Sequence, residues 1–132
     1  MKPIVLDSYA VIAYLNKEEG YKKVSEIFEQ CVDADEYALM CVVNFGEVYY
    51  HALRVGGEQK AKLFLEIIKA LPIDIVEANI NLTIQAAEIK AFHKMSYADA
   101  YAGALAKLKK ADLITGDKEF KALENDIKIN WI

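Results

Sequence analysis

Short apolar runs alternate along the chain with longer stretches whose apolar residues recur every three or four positions. The first kind predicts buried strands, the second amphipathic helices. Strands are expected over residues 3–7 (PIVLD), 37–43 (YALMCVV), 73–76 (IDIV), 112–115 (DLIT) and 127–131 (IKINW). A short helix is expected over 8–15, with Ser8 as its cap, and another over 20–33, where Val24, Ile27, Phe28, Cys31 and Val32 keep helical spacing. Helices over 44–55 and 58–70 are divided by the breaker pair Gly56-Gly57. An amphipathic helix over 79–93, an Ala-rich helix over 97–109 and a short helix over 118–123 complete the pattern.

Strands alternating with helices predict an α/β fold: a three-layer α/β/α sandwich around a mainly parallel, twisted sheet of four or five strands. A chain of 132 residues suits one domain, 1–132. In such sheets ligands sit outside the carboxyl ends of the strands, the edge at which helix N-termini also lie.

Composition adds little to that frame but removes several alternatives. With 55% hydrophobic residues the chain is expected to fold rather than stay disordered. No run approaches the roughly 18 apolar residues of a membrane helix, and the N-terminus lacks a signal-peptide pattern, so a soluble, cytoplasmic protein with no membrane partner is expected. Cys31 and Cys41 have neither metal-type spacing nor the density of a disulfide scaffold, which fits a reduced setting. A net charge of −4 argues weakly against a nucleic-acid binder with a basic face.

Four acids change that last inference. Asp7, Glu47, Asp99 and Asp117 each stand where an apolar run gives way to a helical pattern, or in the first turn expected for such a helix. The topological rule sends all of them to the same sheet edge. Each also has a plain reading. Asn44 and Ser96 stand three residues before Glu47 and Asp99, as in capping boxes. Asp7 and Asp117 fit as caps of the helices that follow. Together the plain readings weaken, because at about 5 Å and an effective dielectric near 20 each like-charge pair costs on the order of 3 kcal/mol. A helix N-terminus returns only about 0.3–1 kcal/mol. A divalent cation removes the penalty, and Mg²⁺ or Mn²⁺ suits an all-oxygen site. Such an ion polarises a phosphoryl oxygen and acidifies water without any nucleophilic side chain. No G-x-S-x-G, H-E-x-x-H, Walker loop or G-x-G-x-x-G occurs to compete with it.

The segments LDS, NFGEVYYH, KMSYADAYAGALA and LITGDKEF, in this order and spacing, resemble those of PIN-domain ribonucleases, and within them the small toxins of the VapC type. The resemblance covers essentially the whole chain. It implies a PIN-like fold and a Mg²⁺- or Mn²⁺-dependent endoribonuclease with Asp7, Glu47, Asp99 and Asp117 as its catalytic acids. It implies that Asp7, Asp99 and Asp117 lie nearest the metal and that Glu47 positions water or a second ion. Ser8 and Thr115 match positions that support the site, and Glu119 matches a further acid found in many members. It also implies an RNA substrate, a homodimer, and a small antitoxin whose Arg-bearing tail enters the acidic groove. A stand-alone RNA-processing nuclease and a non-catalytic PIN scaffold that binds RNA or protein are the alternatives. A receiver domain would need an acidic pair after the first strand, and a haloacid-dehalogenase-type phosphatase would need an Asp where Tyr9 stands.

Other residues flank these segments. His51 follows Glu47 by four positions, suiting a local Glu–His hydrogen bond or contact with substrate. Arg54 continues the same side, solvated or against RNA. Tyr9, Tyr14, Tyr49, Tyr50, Tyr97 and Tyr101 could serve as core, dimer contacts or base-stacking rings. Lys107, Lys109 and Lys110 complement a helix C-terminus.

Overall fold

The computed structural model describes all of residues 1–132. In chain order it comprises β1 (Ile4–Leu6), α1 (Ser8–Leu15), α2 (Tyr21–Ala34), β2 (Ala38–Cys41), α3 (Val42–Ala70) and β3 (Ile73–Val76). Then come α4 (Ile80–Phe92), α5 (Tyr97–Lys109), β4 (Asp112–Thr115), a 3-10 turn (Lys118–Leu123) and β5 (Ile129–Trp131). The five strands form one sheet in the order β3-β2-β1-β4-β5. Every pairing is parallel.

Helices cover both faces, so β1 (IVL) and β2 (ALMC) are apolar throughout instead of alternating with polar residues. Successive side chains point to opposite faces. Ile4 and Leu6 therefore enter a core with Val24, Phe28, Met40 and Phe64, under α1, α2 and α3. Val5 between them enters a second core with Leu82, Leu105, Leu113 and Phe120, under α4 and α5. The alanines of α5 allow that helix to lie close: Ala100, Ala102, Ala104 and Ala106 are all buried.

Two expectations need correction. Strand β2 stops at Cys41, and the apolar pair Val42-Val43 already belongs to α3. Its neighbour β3 ends at Val76, opposite Cys41, so a longer β2 would have no ladder partner on that side. The cap of α1 is Asp7, not Ser8: Asp7 is extended (φ −86°, ψ 179°) and accepts the Ala10 N–H, while Ser8 is already helical. The expected division of the central helices holds: α3 is two helices that meet at a kink at Gly57 (φ 71°, ψ −166°). That conformation is open to glycine and strained for other residues.

The strand order fixes where a site can form. From β1 the chain first winds outward through β2 and β3, then returns to place β4 on the other side of β1. The reversal falls between β1 and β4, whose carboxyl ends lie side by side with Leu6 opposite Ile114. Crevices at such reversals are where open α/β sheets bind ligands. No helix is long and apolar enough to cross a membrane.

Candidate functional site

Asp7 leaves the end of β1 and Asp117 follows the end of β4, so the reversal brings them together from 110 positions apart in the chain. A cleft of about 500 Å³ opens there, and Asp7, Glu47, Asp99 and Asp117 all line it, with Ser8, Tyr9 and Ser96. Two further acids, Glu18 and Glu119, share the lining.

Local hydrogen bonds set each acid. Asp7 is buried, its Oδ1 accepting the Ala10 N–H at 2.9 Å and its Oδ2 accepting the Thr115 hydroxyl. Thr115 Oγ1 in turn accepts the Asp117 N–H at 2.9 Å, and Asp117 Oδ1 accepts the Glu119 N–H at 3.0 Å, capping the 3-10 turn. Ser96 caps α5, its Oγ accepting the Asp99 N–H at 3.1 Å, which holds Asp99 in the first turn. The cap readings of Asp7, Ser96 and Asp117 thus hold alongside membership of the cleft.

Glu47 differs from expectation. Because α3 begins at Val42, Glu47 stands in its second turn and Asn44 is not a cap. Instead Asn44 is buried, and its amide donates to Glu47 Oε1 at 3.1 Å and to the Ala98 carbonyl at 3.0 Å. Both partners are acceptors, which fixes the amide's orientation. One side chain therefore steadies Glu47 and ties α3 to the residue preceding Asp99. Asn44 Oδ1 is buried without a hydrogen-bond partner.

Crowding raises two of the acids. Burial pushes Asp7 up to about 7 despite its bonds from Thr115 and Ala10, and the charges of Asp117 and Glu47 push further. Burial also lifts Asp99 to about 8, with repulsion from Asp117, Asp7 and Glu47 and a hydrogen bond with Asp117 adding to it. Close, partly desolvated carboxylates hold protons near neutrality because they cannot all ionise without a cation. One carboxylate oxygen each from Asp99, Asp117 and Glu119 lies within 4.8 Å of the others. Hard oxygen donors gathered in this way fit a small divalent cation.

His51 and Arg54 do not line the cleft. Glu47 accepts from Asn44 rather than from His51, and the Arg54 guanidinium lies over the Tyr50 ring, 4.9 Å from its centroid. Sequence reasoning missed Glu18, which no spacing marks, and read Asn44 as a cap although its offset from Glu47 was the visible signal. Glu119 was visible only through resemblance.

Comparison with known proteins adds to the geometry. The family model described as "PIN domain" matches residues 4–125. No curated protein matches the chain. Among solved structures, VapBC2 from Rickettsia felis bound to a DNA fragment from its promoter is similar at 16% identity and TM-score 0.77, covering 98% of each chain. DNA-bound VapBC from Salmonella typhimurium gives the same identity, coverage and TM-score. VapC20 of Mycobacterium tuberculosis, a toxin that cleaves the sarcin–ricin loop, is 18% identical, covering 90% of this chain and 93% of that one, with TM-score 0.72. At these identities the likeness carries the fold.

Proposed function

The chain belongs to the PIN-domain family, and from that premise we propose that it is a divalent-metal-dependent endoribonuclease, the toxin of a toxin–antitoxin pair. The observation that carries this reading is the carboxylate cleft at the β1–β4 reversal, where Asp7 and Asp99 are raised to about 7 and 8 by burial and mutual repulsion. Residues 1–132 would constitute a single domain, working in a reduced cytoplasm with both cysteines free and buried.

Asp99 and Asp117, with Asp7 behind them and Glu119 beside them, would hold Mg²⁺ or Mn²⁺. When bound, such an ion stabilises charge on the phosphoryl oxygens and lowers the pKa of water for attack on phosphorus. The chain's own part is positional. Thr115 and Ala10 fix the Asp7 carboxylate, and Ser96 sets the turn that presents Asp99. Asn44 holds Glu47 at the cleft wall, where it would take a proton from water. Ser8 lines the cleft beside Asp7. His51 and Arg54, outside the cleft, are left only a contact with RNA beyond the reacting phosphate.

The sarcin–ricin-loop cleavage named for the mycobacterial neighbour supports RNA as the substrate class. The VapBC complexes support a small antitoxin partner, an Arg of which would pair with the carboxylates. A homodimer is part of the same reading: Ile80, Ile84 and Phe92 of α4 are exposed apolar residues that a second copy could cover.

The test is a Mn²⁺ titration followed by thermal unfolding and by cleavage of single-stranded RNA, with and without chelator. Metal-dependent stabilisation and cutting are expected, both lost in Asp99→Asn. A folded Asp99→Asn protein that cuts as fast as the unaltered one would sink the reading.

A further inference from the structure

We propose that Tyr9 is the base-stacking platform of the cleft, seating a base next to the phosphate that is cut; this rests on the nuclease reading above. Six carboxylates line the cleft and no Lys or Arg does. Phosphates flanking the one under attack gain nothing from such a wall. Stacking on a ring is an attraction largely indifferent to that charge, and it works with any base. Tyr9 is the only aromatic residue in the lining.

The ring is held against the Asp117 loop and remains partly open to solvent. Tyr9 is 44% exposed. The ring rests on Gly116, where an added Cβ would stand 2.2 Å from Cε1, 2.6 Å from Cζ and 2.9 Å from Cδ1. Only a residue without a side chain permits that approach. Gly116 lies between Thr115 and Asp117, so Tyr9 is joined to Asp7 through Ser8 and to the Asp117 loop by contact. A base resting on the exposed part of the ring would be fixed relative to both acids at once.

The experiment uses a short single-stranded RNA whose cut position has been mapped with the unaltered protein and Mn²⁺. An abasic nucleotide is placed at each position in turn, and kcat/KM is measured for the unaltered protein, Tyr9→Phe and Tyr9→Ala. At one position beside the cut, removing the base is expected to slow the unaltered protein and Tyr9→Phe by roughly 5- to 150-fold, the range of one stacked base. Tyr9→Ala should be slowed similarly on intact RNA and no further by the abasic site, with Mn²⁺ affinity unchanged. Should Tyr9→Ala not fold, Tyr9→Leu gives the same comparison at similar bulk. Abasic penalties that multiply in full with the Tyr9 substitution at every position would overturn the stacking role alone. No cutting at all by the unaltered protein would overturn the nuclease reading and Tyr9's role together.

Discussion

Thr115 donates its hydroxyl hydrogen to the carboxylate of Asp7, which lies 108 positions away in the chain, and both groups are buried. The same oxygen accepts the Asp117 N–H, so one hydroxyl holds the ends of two neighbouring strands in register at the cleft. Thr115→Val keeps the shape and removes the bond. It leaves a buried carboxylate oxygen unpaired, at a cost of about 1–3 kcal/mol. Urea unfolding at pH 7.5 should register the loss, and Thr115→Ser should recover most of it. Equal stability of all three proteins would mean that the bond contributes nothing.

The raised acids set a pH dependence with a definite sign. In the folded, metal-free protein Asp7 and Asp99 keep protons to about 7 and 8, whereas unfolded carboxylates release theirs near 3.8. Between those limits the folded state binds more protons than the unfolded state, so stability falls as pH rises. The contribution is complete below about pH 4 and lost through pH 7–8. Chelated protein should therefore melt at a higher temperature at pH 5.5 than at pH 8.5. The comparison is made against Asp99→Asn, where the slope should flatten.

Cation binding should run that equilibrium backwards. An ion that favours ionised carboxylates must displace the protons held by Asp7 and Asp99. Calorimetric titration of Mn²⁺ at pH 6.5, in two buffers of different ionisation enthalpy, should reveal net proton release that shrinks by pH 9. Saturating Mn²⁺ should also raise the melting temperature most at alkaline pH, where repulsion among the acids is greatest.

Asn44 invites a substitution that separates packing from charge. Asn44→Ala removes both donated bonds, to Glu47 and to Ala98, and opens a small cavity, so about 1–3 kcal/mol of stability should go. Asn44→Asp keeps the volume but sets a carboxylate against that of Glu47. Its deficit in RNA cleavage should exceed that of Asn44→Ala and ease as the pH is lowered. Identical cleavage by the two variants would leave Asn44 as packing alone.

Gly57 breaks α3 far from the cleft. Its φ of 71° with ψ of −166° lies in a region nearly closed to other residues. Gly57→Ala should cost roughly 1–3 kcal/mol in chemical denaturation and leave metal affinity and cleavage unchanged.

The hydrophobic pattern determined the kinds of element and nearly all their order, because burial on one helical face or on both strand faces is written into local spacing. It also singled out Asp7 and Asp117, since charges that follow apolar runs must leave the core where those runs end, and Glu47 and Asp99 through the helix starts expected beside them. Val42-Val43 escaped it, because two valines are equally apolar in a strand and in a helix, and only the end of β3 decides between them. Asn44 escaped it too, because its partners, Glu47 and Ala98, depend on how α3 meets α5. What the tertiary structure alone decided is the strand order: with β4 laid beside β1, Asp7, Thr115 and Asp117 become neighbours, and Tyr9 comes to rest on Gly116. Local propensity cannot fix that order, since any arrangement of parallel strands satisfies the same pattern, and only the packing of helices on both faces chooses among them.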